Sequence, residues 1–320
     1  MNNFDQLIKH EMATLDTVIR NDLGSQVPLI NTVGEYIISA GGKRIRPLLT
    51  ILCGKLLGND STILYKMAAM VEYIHTATLL HDDIVDESGL RRGRPTSNAV
   101  FGNAASVLVG DFIYTRAFQM MVQSNSLRVL QIMADSTNII SEGEVLQLLN
   151  IGRSDLTEVE YFKVIESKTA KLFEASARVA AIVSDASEIQ ENALANYAIY
   201  LGTAFQIVDD ILDYNSSAEV MGKNVGDDLL EGKVTLPLIY VLANGTSEEI
   251  ALVKDAIDNP KNADIAQIVA IVNNGMALDY CKDMARSYVT KAQAELEIFT
   301  NNQYRDVLHK IAQLSTERIN

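Results

Sequence analysis

Residues 194–213 read LANYAIYLGTAFQIVDDILD, and this stretch decides the fold. Leu194, Tyr197, Ala198, Leu201, Phe205, Val208 and Leu212 recur at the three- and four-residue spacing of one helix face. The other face carries Gly202, Gln206, Asp209 and Asp213. A helix is therefore expected over 189–214. Reading outward, the same periodicity predicts helices over 4–23, from Pro47 to about Leu57, and over 62–87. Others follow from Ser97 or Asn98 to about Val109, and over 111–123, 127–149 and 157–184. Helix resumes at Leu236 and continues to the C-terminus. Gly41-Gly42 and Ser88-Gly89 supply breaks. With 5 prolines in 320 residues and essentially no strand alternation, the expected class is all-α.

The acidic end of that helix, Asp209-Asp210-Ile211-Leu212-Asp213, has a counterpart at Asp82-Asp83-Ile84-Val85-Asp86. Residues four apart on a helix share a face, so Asp82 converges with Asp86 and Asp209 with Asp213. One acidic helix end is ordinary on a solvated surface. Two copies, each preceded by apolar helix, require a cation between the like charges. Hard divalent cations take oxygen ligands, and Mg²⁺ is held by a few carboxylates together with substrate phosphates. A Ca²⁺ loop does not fit, because these acids sit on helix and lack that loop's alternating ligands and glycine. The chain has no zinc spacing of Cys and His, no Gly-x-x-x-x-Gly-Lys loop and no Gly-x-Ser-x-Gly elbow. The duplicated motif points to a Mg²⁺–diphosphate site.

Hydrophobic residues make up 48% of the chain and charged residues 21%, enough apolar material for a full core. No linker or repeat divides it, so one helical domain over 1–320 is expected. The net charge of −14 argues against nucleic-acid binding. An anionic diphosphate must then be met by local cations. Gly41-Gly42-Lys43-Arg44-Ile45-Arg46-Pro47 places three at a helix start, where backbone amides already favour phosphate. Arg91 and Arg92 follow Asp86 closely. Lys168, Lys223 and Lys233 lie in the second half, the latter two within a Gly- and Asp-rich stretch, 214–235, with the composition of a lid. His75 sits about two turns before Asp82 on the same face.

Cys53 and Cys281 suit reduced thiols of the cytosol. The N-terminus has early acids and no apolar run of signal-peptide length. The most apolar later stretch, 99–114, is interrupted by Asn103, Ser106 and Asp111 and is too short to span a bilayer. A soluble, cytoplasmic protein is expected.

Several phrases occur in a telling order. They are Gly-Gly-Lys-Arg-x-Arg-Pro at 41–47, His-x-Ala-x-Leu-Leu-His-Asp-Asp-x-x-Asp at 75–86, Arg91-Arg92-Gly93, Ser167-Lys168-Thr169-Ala170, and Gly-x-Ala-Phe-Gln-x-x-Asp-Asp-x-x-Asp at 202–213. Together they resemble the trans-isoprenyl (polyprenyl) diphosphate synthases. Phe101-Gly102-Asn103-Ala104-Ala105 and the run from Ser141 to Leu148 are similar to the long-chain bacterial branch of that family. The motif-bearing match spans about 30–240; the remainder agrees only in being helical.

The resemblance implies a single-domain bundle of antiparallel helices around a central cavity, usually a homodimer, with the two acidic helices facing each other across its mouth. It implies successive Mg²⁺-dependent condensation of isopentenyl diphosphate onto an allylic primer such as farnesyl diphosphate. The implied product is octaprenyl diphosphate for a quinone such as ubiquinone, handed on to the membrane. Lys43, Arg46, His75 and Arg92 would hold isopentenyl diphosphate. Arg91, Lys168, Thr169, Gln206, Lys223 and Lys233 would surround the allylic diphosphate. Asp82, Asp86 and Asp209 would ligate two or three Mg²⁺ ions, which Mn²⁺ could replace, with Asp83, Asp210 and Asp213 in support. Ala77 and Thr78 lie one turn before Asp82 and Ile74 two turns before it, and short-chain members carry aromatic residues near the first of these levels. The small Ala77 and Thr78 then imply a deep tunnel and a long product. Class I terpene cyclases share the fold, but usually replace the second Asp-rich motif and need no isopentenyl diphosphate site. Non-catalytic partners of heteromeric synthases tend to lose one motif, and this chain keeps both.

Overall fold

Runs of apolar residues at helical spacing become helices throughout the computed structural model, which describes residues 3–91, 93–214 and 225–317. The first half carries α1 (Asn3–Leu23), α2 (Pro28–Ser39), α3 (Ile45–Leu56), α4 (Thr62–Val85), α5 (Ser97–Phe101), α6 (Asn103–Val122) and α7 (Leu127–Leu149). The second carries α8 (Glu158–Ile165), α9 (Lys171–Ile182), α10 (Glu188–Asp213), α11 (Asp227–Leu230) and α12 (Leu236–Asn244). It ends with α13 (Ser247–Asp258), α14 (Ile265–Asn274), α15 (Ala277–Glu295) and α16 (Gln303–Glu317). Among the described residues the one sheet is a two-residue hairpin, β1 (Leu90–Arg91) against β2 (Arg94–Pro95). The fold class is all-α, as expected. No helix among the described residues is long and apolar enough to cross a membrane.

Two helix boundaries depart from the periodicity, each for a physical reason. The break expected near Gly110 falls at Gly102 instead, where φ is 85° and a side chain would be strained. Gly110 stays inside α6, because a Cβ there would stand 2.4 Å from Nε2 of His81; glycine makes room for a ring of the neighbouring helix. The expected helix over 157–184 is α8 and α9 joined by a π-helical turn, Glu166–Ala170. Its wider i→i+5 closure is made by the Lys171 amide donating to the Glu166 carbonyl. Capping boxes begin α8 at Thr157 and Glu160 and α13 at Thr246 and Glu249.

The chain forms two compact units. The first comprises residues 1–135, 172–195 and 297–308. Within it α4 packs along α1, α3 and α6. Buried tyrosines fasten α4 to α1: Tyr73 donates to the Ile19 carbonyl at 2.6 Å, and Tyr65 donates to the Glu11 carboxylate. The second comprises residues 136–171, 196–296 and 309–320. Ile207, Val208, Ile211 and Leu212 of α10 form its core with Tyr161, Leu236, Leu238, Val253 and Val272. Each fully buried aliphatic side chain of this kind contributes about 1.5–3 kcal/mol. The divisions fall inside α7, α9, α10 and α16 and in the 3-10 turn Leu296–Ile298, so no linker marks them in the sequence.

Candidate active site

In the first unit the apolar face of α4 is sealed, with Ile74 and Ala77 fully buried. Its open face runs through half-buried Glu72, His75, Thr78, Asp82 and Asp86. Asp82 and Asp86 stand one turn apart at the helix end, where the Asp86 amide donates to the Asp82 carbonyl at 2.8 Å. Asp83 points elsewhere. It is buried, and the Arg91 guanidinium grips it through Nε at 2.9 Å and Nη2 at 2.7 Å. The hairpin presents that arginine, and the turn before it is tied down by Thr96, whose hydroxyl donates to the Ser88 carbonyl at 2.7 Å. Arg92 lies outside the described residues.

The cationic turn before α3 needs left-handed backbone at Gly41 (φ 70°), Gly42 (φ 143°) and, unusually, Arg44 (φ 45°). Arg44 holds that conformation because its guanidinium is ion-paired with Asp16 of α1 and lies 3.8 Å from Glu72 of α4. It is thereby spent on the fold. Arg46 reaches the open face of α4, with Nη1 3.2 Å from Nε2 of His75. A guanidinium can only donate, so in this contact the imidazole nitrogen is placed as acceptor. The Arg46 guanidinium also lies 4.6 Å from the centre of the Phe173 ring, a cation–π contact. Lys43 is exposed beside it. Thr78 donates its hydroxyl proton to the His75 carbonyl at 2.9 Å.

In the second unit the end of α10, the π turn and residues 225–235 enclose a cavity of about 150 Å³. Lys168, Thr169, Gln206, Asp210 and Lys233 all line it. A chain of hydrogen bonds runs along its wall. Thr169 donates to Gln206 Oε1 at 2.9 Å, and Gln206 Nε2 donates to Asp210 Oδ1 at 2.8 Å. Tyr161 donates to the other Asp210 oxygen at 2.6 Å. Burial raises the Tyr161 pKa well above its ordinary value, and the Asp210 charge raises it further, which keeps the hydroxyl protonated as donor. Burial and the nearby Asp228 charge likewise raise the Asp210 pKa, opposed by its Tyr161 and Gln206 hydrogen bonds.

Asp209 is half-buried on the neighbouring face of α10. Asp213 is buried, accepting the Asp228 amide at 3.3 Å, while its carbonyl accepts the Gly226 amide at 2.9 Å. Lys233 is ion-paired with Glu231, and its backbone amide donates to the Asp228 carbonyl at 2.8 Å. Lys223 and the middle of the lid-like stretch lie outside the described residues.

Among the described residues no three His, Cys, Asp or Glu side chains form a metal cage of their own. The carboxylates fit a different demand. Asp82 and Asp86 stand one turn apart on the half-buried face at one helix end, and Asp83 is engaged by arginine. A partial oxygen shell of this kind suits Mg²⁺, which completes its octahedron with water and substrate phosphates. Sequence reasoning did not single out Tyr161 and Asp228, nor Glu144 and Gln147 of α7, which contact the Lys168 ammonium at 2.6 and 2.7 Å. A tyrosine amid apolar residues reads as core, and only the Gly-Asp-Asp cluster at 226–228 carried any signal for Asp228.

The model of the polyprenyl synthetase family matches residues 27–274. The octaprenyl diphosphate synthase of Haemophilus influenzae is 48% identical over 319 residues, covering 99% of this chain and 97% of that protein. The octaprenyl diphosphate synthase of Escherichia coli is 46% identical, covering 99% of each. Among solved structures, a polyprenyl synthase from Caulobacter crescentus complexed with calcium and isoprenyl diphosphate superposes with a TM-score of 0.94. It is 40% identical, with 99% of this chain and 97% of that one covered.

Proposed function

The chain belongs to the polyprenyl synthetase family, and on that footing we propose that it elongates an allylic diphosphate with isopentenyl diphosphate to octaprenyl diphosphate. It is a prenyltransferase, and its product class is a long-chain all-trans polyprenyl diphosphate. The octaprenyl length, a farnesyl-type primer, Mg²⁺ as the metal, a homodimer and a cytoplasmic site of action from which product passes to the membrane belong to the proposal.

The observation that carries it is the cavity of the second unit. Lys168, Thr169, Gln206, Asp210 and Lys233 are scattered through the sequence, yet their side chains line one space that offers ammonium groups, a hydroxyl and an amide to an oxyanion. Lys168, Thr169, Gln206 and Lys233, with Lys223 and Arg91, hold the allylic diphosphate. Lys43, Arg46, His75 and Arg92 hold isopentenyl diphosphate, for which the Arg46–His75 pair on the open face of α4 is suited. Asp82, Asp86 and Asp209 ligate the metal. Asp83 is held by Arg91, and Asp210 by Tyr161 and Gln206, which fits both carboxylates to a supporting part. Asp213 supports from the second motif.

Bound Mg²⁺ would neutralise the diphosphate and stabilise its charge as the allylic C–O bond breaks. The lysines supply fixed positive charge to the same leaving group, worth most as that charge develops. The allylic carbocation must meet the isopentenyl double bond before water does, so orientation and dryness are the protein's main contributions. Proton loss then restores a double bond, with the departed diphosphate as base. No side-chain nucleophile is needed.

Labelled isopentenyl diphosphate should enter a hydrophobic diphosphate product only when primer and Mg²⁺ are both present, and chelation should stop it. Release of a cyclised hydrocarbon from the primer alone would instead indicate a terpene cyclase. Failure to turn over without a second polypeptide would indicate a subunit.

A further inference from the structure

Lys168 is held by two side chains of α7 to which the reaction described above gives no role. Its ammonium lies 2.6 Å from Oε2 of Glu144 and donates to Oε1 of Gln147 at 2.7 Å. Glu144 and Gln147 are three residues apart, so a single turn of α7 presents both acceptors. This turn comes close because residue 143 is glycine. A Cβ there would stand 2.9 Å from the backbone nitrogen of Lys168 and 2.8 Å from Cβ of Ser167, a clash that backbone cannot relieve. The partner surface is the π turn itself, a rare geometry concentrated at functional sites. Lys168 and Gln147 line the cavity, and Glu144 sets its carboxylate against the lysine assigned to the diphosphate.

That arrangement opposes tight anion binding. A diphosphate entering the cavity competes with Glu144 for the Lys168 ammonium and is repelled by the carboxylate. Gln147 alone would hold the lysine in place without that penalty. An enzyme that repeats one condensation must expel diphosphate after each step and reseat a lengthened allylic diphosphate in its place. Excessive affinity would stall it.

We propose that Glu144 is a positioning residue that competes with diphosphate for Lys168 and weakens the grip on it, so that inorganic diphosphate leaves between condensations. This rests on the function proposed above, in which Lys168 grips the allylic diphosphate.

The test is calorimetric titration of the full-length protein with inorganic diphosphate in the presence of Mg²⁺, comparing wild type with Glu144→Gln, Glu144→Ala and Glu144→Asp. Loss of the carboxylate should tighten diphosphate binding on the order of 5-fold, as expected for removing one partly exposed charge interaction. Glu144→Gln and Glu144→Ala should shift together, while Glu144→Asp stays near wild type. Product inhibition should strengthen by the same factor, slowing multiple-turnover elongation while the single-turnover first condensation keeps its rate. A merely structural role would lower thermal stability and loosen binding. Unchanged or weaker binding in both neutral variants of an active enzyme would refute the role of Glu144 alone. A wild-type protein that neither binds diphosphate nor elongates a primer would remove the underlying function and this proposal with it.

Discussion

Asp83 and Asp210 hold the same place in the two acidic motifs and meet similar fates. Each is buried and turned onto its own partners, Arg91 for one and Tyr161 with Gln206 for the other. The metal ligands proposed above are Asp82, Asp86 and Asp209. Asp82→Ala or Asp209→Ala should lower turnover by about three orders of magnitude or more while circular dichroism shows unchanged helicity, because the diphosphate charge loses its counter-ion. Near-normal turnover in either variant would overturn the metal assignment. Lys43→Ala and Arg92→Ala should raise the KM for isopentenyl diphosphate about tenfold and leave that for the primer nearly unchanged, since each removes a charge-assisted contact. An equal rise for both substrates would mean the two diphosphates are assigned the wrong way round. At this scale the shared periodicity of His75 and Asp82 was legible in the sequence, and the two lie on one half-buried face of α4. Sequence reading does not reach Tyr161 and Glu144, which meet Asp210 and Lys168 through contacts between segments distant in sequence.

Helix α4 carries the product-length expectation. One turn advances about 5.4 Å, comparable to an extended isoprene unit. Ile74 and Ala77 are fully buried, whereas Thr78 sits on the half-buried face with His75 and Asp82. A tyrosine at 77 would overpack the core. Thr78→Tyr is the clean variant, and it should shorten the product to roughly three or four isoprene units, as the turn spacing implies. Wild-type length from that variant would mean the growing chain does not pass Thr78. Helix α8 carries a pH dependence. Hydrogen bonds from the Thr157 amide and hydroxyl, then from Arg153, hold the Glu160 carboxyl down at about 2 against an ordinary 4.5. Its folded pKa is depressed, so its stabilisation is complete above pH 4.5 and is lost as pH falls towards 2. Thermal midpoints measured across that window should fall less steeply for Glu160→Gln than for wild type. Parallel curves would show that the capping box contributes nothing. Helices themselves were legible from periodicity. The break at Gly102 and the π turn were not, because Gly110 looks like a helix breaker until the His81 ring fills its space, and a five-residue π segment is too short to show as a separate period.

For the whole molecule, the all-α class followed from composition and spacing, and the family from five phrases in fixed order. The division into two units did not, since it falls within continuous helices. The net charge of −14 makes the cationic clusters informative, because an acidic protein that handles diphosphates must concentrate its positive charge where they bind. The central claim is that the residues around these clusters build one long all-trans chain by repeated condensation. Chromatographic sizing of the product formed from farnesyl diphosphate, labelled isopentenyl diphosphate and Mg²⁺ tests it most directly. The account predicts an all-trans polyprenyl diphosphate peaking at the octaprenyl length. A product that stops after one condensation, or a cyclic hydrocarbon made without isopentenyl diphosphate, would contradict it.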